Sequence, residues 1–539
     1  MIAAPPEGVR TLVDLIIRGA ERFGDREAVV FGDTRWSYDD LARETGRVAH
    51  GLLNLGLRPG ERVGVLLPNW PEFFACVFGI QAAGGTAVCL NTMAAEAELR
   101  QHVERTELVR ILYTPRFLKH DYVARLDAVA QSLDSKDRLT GRIAVARAEE
   151  APPPGSLAYD RLGRDWDGGA AALRALDRSA ASEPAAIFFT SGSTAEPKAV
   201  VHAHRALVHQ AYVAGDAFGV TSEDRAWGSL PLFFTGGFVV IGLLQLAAGG
   251  AVVLQDHFDA GTALDLMERE RITFYAGWQQ APALCDHESF GRRRLDLRKG
   301  MYADSPVAER LLARGHVSIQ GYGLSETATT VCTARWDDPP DVRTRGFGRP
   351  LPGVEIAIVD VETGERRPEG EIGEVRLRGP SLMLGYLGVA REESFDSSGY
   401  FRTGDLGRID ESGTLCFEGR LKDVIKTAGV NVAAAEIEAF LGGVAGVRAA
   451  YVVPVAHSAR GQNVGAFVVM SPEAPLDVPR LLARCREGLA SYKVPRHVFE
   501  LSADSVPRTG TLKVDKPQLR KQADEWADGP RDLIPAGSV

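Results

Sequence analysis

A short polar loop holds the densest set of reactive side chains in this sequence. It follows the apolar stretch Ala185–Phe189 and contains four hydroxyl residues, a glycine and a lysine: Thr190, Ser191, Gly192, Ser193, Thr194 and Lys198. Hydroxyls and backbone N–H groups can donate hydrogen bonds to phosphate oxygens, and the lysine supplies a cation. The GxxxxGK(S/T) spacing of a Walker A loop is absent. The loop therefore predicts a phosphate site of another kind, with a plain polar surface turn as the alternative.

A second motif combines an aromatic ring with a carboxylate. It runs from Gln320 to Thr327 and contains Tyr322, Gly323, Ser325 and Glu326. Glycines beside the tyrosine let the backbone approach a planar ligand that the ring covers. The carboxylate can hold a hard cation such as Mg²⁺ against phosphate oxygens. The alternative is a strand-to-loop turn with a solvated glutamate.

A third motif, Tyr400–Leu406, places Asp405 directly after a glycine. Such an aspartate can accept hydrogen bonds from both ribose hydroxyls of a nucleotide, and an Asx turn is the alternative. Two basic blocks come later, Gly419–Val432 and Val506–Lys516. Either block alone is also typical of a solvated basic loop.

In their order, these five motifs resemble those of the adenylate-forming superfamily, which includes acyl-CoA ligases, luciferases and peptide-synthetase adenylation domains. The resemblance extends from about Thr11 to Arg520. The sequence departs from the family pattern where Ala195, Ala199 and Leu512 replace glycines and where Ala434 replaces a proline.

The resemblance implies a role for each motif residue. Lys513, Glu326 and Gly429 would be catalytic, Glu326 would also be the metal ligand, and Lys422 would be the hinge of a mobile small domain. The nucleotide would be bound by Thr190, Ser191, Gly192, Ser193, Thr194, Lys198, Asp304, Tyr322, Gly323, Ser325, Asp405 and Arg420.

The acyl pocket is predicted from bulky residues near these motifs. Phe234 stands in a block, Pro231–Gly237, that resembles the PLFHxxG block of the family, and Trp278 and Gln279 follow an apolar segment. An aromatic ring can wall off a carboxylate site, although a core position for Phe234 is the alternative. These residues favour a bulky hydrophobic carboxylic acid over a small or dianionic one.

The activity implied by the resemblance is that of an acyl-CoA ligase acting in two steps. A carboxylate attacks the α-phosphate of ATP to give an acyl-adenylate, with Mg²⁺ assisting, and coenzyme A then displaces AMP. Because the alanines and Leu512 fall in the adenylation motifs, we expect impaired adenylation with thioesterification of a preformed acyl-adenylate retained. A fully competent ATP-dependent synthetase and a non-catalytic relative that binds carboxylates or adenylates are the alternatives. The altered loop also resembles acyl-CoA ligases of bacterial natural-product pathways, such as those for diterpenoid acids in platensimycin and platencin biosynthesis.

Alternation of apolar strands and amphipathic helices predicts an α/β fold with layered sheets in a large N-terminal domain of several subdomains. A small mobile α+β C-terminal domain is expected to follow, with domains at residues 1–421 and 422–539. The apolar stretch Phe233–Leu254 is punctuated by glycines and predicts a buried helix and strand rather than a membrane span.

Composition restricts the partners and the compartment. The chain has 539 residues, a net charge of −9 and no basic stripe. We therefore do not expect it to bind nucleic acid. The six cysteines form no CxxC pair, and residues 1–10 lack the pattern of a signal peptide. We therefore expect a cytoplasmic protein that binds a small carboxylic acid and coenzyme A. A homodimer and a separate partner enzyme for adenylation are left open.

Overall fold

The computed structural model describes residues 4–133, 138–139, 141–146, 151–190, 197–228, 230–277, 280–301, 310, 316–343, 346–427, 430–457, 461–509 and 513–527. The chain forms two compact units. The first comprises Met1–Glu355 and Arg378–Phe401, and the second comprises Ile356–Leu377 and Arg402–Val539.

The first unit contains a largely parallel sheet, here called the first sheet. Its strands across the described residues, in spatial order, are Gly385–Tyr386, Lys198–Ala203, Pro184–Thr190, Thr86–Cys89, Arg62–Leu66, Arg110–Tyr113, Gly141–Ala144 and Leu157–Ala158. The pairs that involve Lys198–Ala203 are antiparallel and the others are parallel.

A second sheet of the same unit is also mainly parallel. In spatial order its described strands are Val317–Ser318, Lys299–Met301, Phe274–Ala276, Arg225–Trp227, Ala251–Val253, Glu27–Phe31 and Thr34–Ser37. A small antiparallel sheet carries Gly321–Leu324, Thr329–Thr333 and Arg349–Pro350, and a hairpin pairs Arg116–Phe117 with His120–Asp121.

Helices pack on both sheets and make the layered α/β architecture that the sequence predicts. The α-helices described in this unit are Leu12–Phe23, Tyr38–Asn54, Pro71–Ala82, Glu96–Thr106, Tyr122–Ser132, Ala170–Leu176, His204–Ala217, Leu244–Ala248, Ala260–Arg269, Ala281–Asp286, Pro340–Arg343 and Arg391–Ser394. Short 3₁₀ segments are Tyr159–Arg161, Phe290–Arg292 and Ser325–Thr327. Thr11 and Ser37 begin the first two helices with reciprocal capping boxes.

The stretch Phe233–Leu254 is buried protein core, which confirms the sequence prediction. A π-helical segment, Gly236–Leu243, leads into the helix Leu244–Ala248, and the strand Ala251–Val253 follows. Phe238 packs among the rings of Phe73, Phe74, Phe78 and Phe188. Within the described part of the chain, no helix combines the length and apolarity needed to cross a bilayer.

The second unit is built on two further sheets. One contains Glu355–Val359, Gly373–Arg378, Phe401–Ile409 and Leu415–Arg420, most of whose residues belong to this unit. The other contains Val430–Ala433, Val424–Thr427, Gly461–Met470 and Val447–His457, with His497–Glu500 added beside Gly461–Met470. The helices are Ala434–Gly442, Val478–Gly488 and Lys516–Ala527, and the 3₁₀ segments are Leu421–Asp423 and Ala503–Ser505.

Alternating residues of the strand Val447–His457 bury both faces of its sheet. Val452 packs with Ile437 and Leu481 of two helices, whereas Val453 packs with Leu519 of the last helix on the opposite face. This period-two burial explains why the strand is nearly continuously apolar in its centre. The small α+β domain of the sequence prediction is thereby confirmed, while its boundary at residues 421 and 422 and its mobility stay predictions.

Candidate active site

The two ends of the polar loop lie opposite each other. Thr190 ends one strand of the first sheet and pairs in antiparallel register with Lys198, which begins the next. The hairpin therefore brings the predicted hydroxyl and cation to one edge of the sheet. Four predicted residues of the loop, Ser191, Gly192, Ser193 and Thr194, and also Ala195, lie outside the described residues.

Ala199 is one of the two alanines that replace family glycines in the first motif. Ala199 is fully buried in the strand Lys198–Ala203, where it pairs with Phe189. It is not among the described non-glycine residues with positive φ. An ordinary strand conformation suits alanine, so the family glycine is not needed here for a left-handed backbone.

Lys198 and Glu326 both contact one tyrosine that the sequence motifs had not identified. The Tyr386 hydroxyl donates to Glu326 Oε1 at 2.6 Å, and Lys198 Nζ lies 4.7 Å from the centroid of the Tyr386 ring. A cation over an aromatic face is attracted by the ring quadrupole. The structure thus brings together the predicted phosphate cation, the predicted metal ligand and Tyr386.

The backbone that carries Glu326 is held in a tight turn. A Cβ on Gly323 would lie 1.9 Å from the Thr329 carbonyl oxygen, so glycine is required by this close approach. The buried Thr327 hydroxyl accepts from Leu324 N–H at 2.9 Å. The turn ends in two left-handed residues, Ala328 with φ of 52° and Thr329 with φ of 89°. Positive φ is uncommon for a β-branched residue and is characteristic of functional sites.

A buried histidine supports the same turn from the first sheet. His202 is fully buried, and its Nε2–H donates to the Ser325 carbonyl at 2.7 Å. Burial lowers the pKa of His202 to about 4, although the bond to Ser325 opposes the shift. The ring is therefore neutral at physiological pH. From the side of the π-helical segment, the Thr235 hydroxyl lies 3.3 Å from the Ser325 hydroxyl.

Glu326 suits a magnesium ion that is shared with phosphates. Tyr386 occupies one carboxylate oxygen, and Oε2 makes no hydrogen bond or ion pair with any residue that the structure describes. No cluster of three or more His, Cys, Asp or Glu ligands occurs within the described ranges. Magnesium is commonly held by one or two carboxylates together with substrate phosphates rather than by a protein cage. The donor set therefore fits Mg²⁺ bound with a nucleotide.

The predicted acyl-pocket residues are only partly described. Phe234 is half-buried and makes an edge-to-face contact with Phe233, with ring centroids 4.6 Å apart. Beside it, a Cβ on Gly237 would lie 2.2 Å from the Pro231 carbonyl oxygen, which fixes this turn as glycine. Trp278, Gln279 and Asp304 lie outside the described residues. Tyr322 of the second motif is buried and packs near Phe347, with ring centroids 6.1 Å apart.

Asp405 and Arg420 form an ion pair in the second unit. They face each other across two antiparallel strands, and Arg420 Nε lies 3.0 Å from Asp405 Oδ1. The Asp405 side chain is 1% exposed and the Arg420 side chain 42% exposed. Gly404 has φ of 68°, and the Thr403 hydroxyl accepts from the Asp405 N–H at 3.0 Å. The structure thus brings together both residues that the motifs assign to the ribose.

The two predicted lysines of the second unit occupy exposed turns. Lys422 lies in the 3₁₀ segment Leu421–Asp423, and burial lowers its pKa, with Asp423 opposing the shift. Lys516 contacts Glu438 at 2.8 Å and Asp423 at 3.8 Å, so the residue after Lys422 is tied to the body of this unit. The Lys513 carbonyl accepts a hydrogen bond from the Thr509 N–H at 2.8 Å. Gly429 and Leu512 lie outside the described residues.

Tyr386 and His202 are the site residues that sequence reasoning missed. Tyr386 is 60 residues from Glu326 along the chain, so no local spacing relates the two. His202 did carry a signal, because it is a polar residue that follows the apolar run Ala199–Val201 within the strand Lys198–Ala203. A buried histidine in such a strand is expected to have a specific hydrogen-bond partner.

Comparison with known proteins places these features in a family. The model of AMP-binding enzymes matches residues 17–387, and the model of the AMP-binding enzyme C-terminal domain matches residues 436–513. The chain belongs to the AMP-binding enzyme family, and its predicted resemblance to adenylate-forming enzymes is confirmed.

Relatives with known names cover almost the whole chain. A ligase of Rhodococcus jostii (strain RHA1), named for joining CoA to a methyl-dioxo-octahydroindenyl propanoyl group, is 32% identical over 94% of this chain and 97% of its own length. A feruloyl-CoA synthase of an Amycolatopsis species is 31% identical over 94% of this chain and 98% of its own length. The anthranilate CoA ligase AuaEII, solved with anthranoyl-AMP, shares the fold with a TM-score of 0.83, 24% identity, and coverage of 96% of this chain and 98% of its own.

Proposed function

We propose that this protein is an acyl-CoA ligase that joins a bulky hydrophobic carboxylic acid to coenzyme A through an acyl-adenylate. The observation that carries the proposal is the contact of Tyr386 with both Lys198 and Glu326, next to the strand ends where Thr190 pairs with Lys198. It sets a cation for phosphate oxygens beside a carboxylate that retains one oxygen for Mg²⁺. Asp405 and Arg420 add the carboxylate and guanidinium expected to contact ribose.

Particular side chains of this chain are proposed to bind each substrate group. Lys198 and Thr190 would bind the phosphates of ATP, and Glu326 would hold the magnesium ion. When bound, Mg²⁺ offsets the negative charge of the phosphates and of the leaving pyrophosphate. Lys513 would donate to the α-phosphate during attack by the acid. In the second step the thiol sulfur of coenzyme A attacks the acyl carbonyl, the mixed anhydride bond breaks, and AMP leaves.

The acyl group is proposed to be bulky and apolar. Phe234 is half-buried beside the buried Phe233 and Leu232, which line the turn before the π-helical segment. The ligases of Rhodococcus and Amycolatopsis are named for a fused bicyclic propanoyl group and for a feruloyl group. These names support a cyclic or aromatic acid rather than acetate.

Weak adenylation stays a prediction, and it now depends on two residues. Ala195 and Leu512 replace family glycines, and Ala199 also does so but lies in an ordinary strand conformation without positive φ. If Ala195 requires a left-handed backbone, alanine there costs about 1–2 kcal/mol. A displacement of Lys513 by Leu512 of about 1 Å could slow the step about a hundredfold.

Restoring the glycines tests this half of the proposal. Pyrophosphate release from acid and ATP is measured without coenzyme A, and thioester formation is measured from a synthetic acyl-adenylate and coenzyme A. We expect Ala195→Gly with Leu512→Gly to raise the first rate at least tenfold and to leave the second unchanged. Ala199→Gly is the matched control and is expected to change neither rate. Brisk pyrophosphate release by the wild type would show a fully competent synthetase.

Two assays separate the ligase from a non-catalytic relative. ATP–pyrophosphate exchange over a panel of acids reports adenylation, and mass spectrometry of the products reports CoA thioesters. We expect thioesters from bulky cyclic or aromatic acids, with kcat/KM well above that for acetate. Highest kcat/KM for acetate or an amino acid would contradict the acyl assignment. Absence of both reactions, together with no thioester from a synthetic acyl-adenylate and coenzyme A, would favour a binding protein.

A cytoplasmic location completes the proposal. The six cysteines all lie within the described residues and form no disulfide, and five of them are buried, as is typical of a reducing compartment. A homodimer and a separate adenylating enzyme stay open predictions.

A further inference from the structure

Tyr386 contacts two opposite charges at once. Its hydroxyl donates to Glu326 Oε1 at 2.6 Å, while the Lys198 ammonium lies over the ring, 4.7 Å from the centroid. The tyrosine is 9% exposed. Both charged groups are half-buried, a setting in which a direct ion pair would be stronger than at the surface. Yet Lys198 and Glu326 form no ion pair within 4.0 Å.

The first unit contains a second set of a cation, a tyrosine and a carboxylate, which can be compared with Lys198, Tyr386 and Glu326. Arg378 lies over the Tyr400 ring, 4.6 Å from the centroid, and the Tyr400 hydroxyl donates to Glu355 Oε2 at 2.9 Å. There the cation also reaches the carboxylate, because Arg378 Nη2 lies 2.6 Å from Glu355 Oε2. At Tyr400 the cation and the carboxylate therefore form a direct ion pair. At Tyr386 both charged groups contact the tyrosine but do not pair with each other.

Backbone pairing fixes Tyr386 in the separating position. Tyr386 pairs with Val200 across antiparallel strands, and Leu387 N–H donates to the Ala199 carbonyl at 2.9 Å. On the other side, Met383 N–H donates to the Glu326 carbonyl at 2.8 Å. The segment is thus joined by main-chain bonds both to the strand of Lys198 and to the turn of Glu326. These bonds fix the Tyr386 backbone between the strand of Lys198 and the turn of Glu326.

We propose that Tyr386 is a positioning residue that keeps the Lys198 ammonium and the Glu326 carboxylate apart, so that one stays available to phosphate and the other to Mg²⁺. The proposal rests on the proposed function of this site. The aromatic face stabilises the ammonium without neutralising it. The hydroxyl orients one carboxylate oxygen and leaves the other free for a metal. Loss of the ring would let the two side chains pair with each other instead of with the substrate.

A double-variant cycle tests this separation. ATP affinity is measured by calorimetry in EDTA, without divalent metal, for the wild type, Tyr386→Leu, Glu326→Gln and the double variant. We expect Tyr386→Leu to weaken ATP binding about tenfold, which is about 1.4 kcal/mol, because Lys198 pairs with Glu326. Glu326→Gln should then improve binding at least fivefold more in the Tyr386→Leu background than in the wild type. Equal improvement in both backgrounds would overturn the proposal.

Tyr386→Phe separates the roles of ring and hydroxyl. It keeps the spacer, so ATP affinity in EDTA should match the wild type, while the gain in affinity on adding Mg²⁺ should fall several-fold. A loss in EDTA as large as that of Tyr386→Leu would overturn the proposal. Tyr159→Leu is the matched control for folding, because Tyr159 also lies beneath a cation, Arg47, and donates to a carboxylate, Glu44, and it should leave ATP affinity unchanged.

The same preparations distinguish failure of this inference from failure of the proposed function. A wild type that binds ATP but forms no thioester, either from acid and ATP or from a synthetic acyl-adenylate, would refute the ligase activity, while the binding cycle would still decide the role of Tyr386. A wild type that bound no ATP in either condition would overturn both.

Discussion

At the scale of single residues, Asp405 places a nearly fully buried carboxylate beside a half-exposed guanidinium. Asp405→Ala removes the group expected to accept both ribose hydroxyls and leaves Arg420 without its partner. Because hydrogen bonds between a charged group and a ligand contribute about 1.5–3 kcal/mol each, affinity for a non-hydrolysable acyl-adenylate analogue should fall at least tenfold. Isothermal titration measures this loss.

Asp477 provides the control for Asp405. It caps the helix Val478–Gly488 through Arg480 N–H. Asp477→Ala should cost about 1 kcal/mol of stability without changing the affinity for the analogue. Wild-type affinity in Asp405→Ala would place the ribose elsewhere.

The buried histidines predict a loss of stability in mild acid. Burial lowers the pKa of His202 and of His204 to about 4, below the usual value of 6.5. The unfolded chain therefore binds more protons between these values, and stability falls as the pH drops from about 6.5 towards 4. From the linkage relation, each histidine costs about 2 kcal/mol at pH 5.

Urea unfolding at pH 7.5 and pH 5.0 measures this acid effect. In His202→Leu the difference between the two pH values should shrink by about 2 kcal/mol. His257, whose side chain is 56% exposed, is the matched control. An unchanged difference in His202→Leu would mean that the imidazole is not held neutral.

At the scale of elements, the 3₁₀ segment Leu421–Asp423 is the predicted pivot. Lys422→Pro restricts φ near −65° and so removes the rotation that a hinge requires. We expect one half-reaction to fall at least tenfold more than the other, because one domain arrangement is trapped. Glu411→Pro, in an exposed turn of the same unit, is the control. Equal effects on both half-reactions would refute the hinge.

Elements with strong periodicity were predictable from the sequence, and contacts between distant segments were not. The helix Leu12–Phe23 follows from its apolar spacing and its Thr11 cap, and the strand Val447–His457 follows from its apolar run. The π-helical form of Gly236–Leu243 has no such signature, because its sequence is apolar on every side.

In the candidate active site, too, local features were predictable from the sequence and long-range contacts were not. Glycines 321 and 323 could be related to backbone approach from the motif alone. The contact of Tyr386 with Glu326 depends on a strand added 60 residues later, which only the folded topology brings into place. The motif alone could not show whether Ala199 has a left-handed backbone, because its ordinary conformation follows from pairing with Phe189 in the folded sheet.

At the scale of the whole molecule, two family models and near full-length relatives agree on an AMP-binding enzyme. The reaction proposed for this enzyme is formation of a thioester through an acyl-adenylate. In that mechanism one carboxylate oxygen of the acid becomes the bridge to phosphorus. The bridge oxygen then leaves with AMP when the thiol of coenzyme A attacks the carbonyl.

The most direct measurement follows that oxygen. The acid that gives the most thioester in the panel is labelled with ¹⁸O in both carboxylate positions and turned over with ATP, Mg²⁺ and coenzyme A. Mass spectrometry should find one ¹⁸O in each AMP, one in the thioester carbonyl and none in pyrophosphate. Thioester formed with unlabelled AMP, or with label in inorganic phosphate or pyrophosphate, would contradict an acyl-adenylate on this chain.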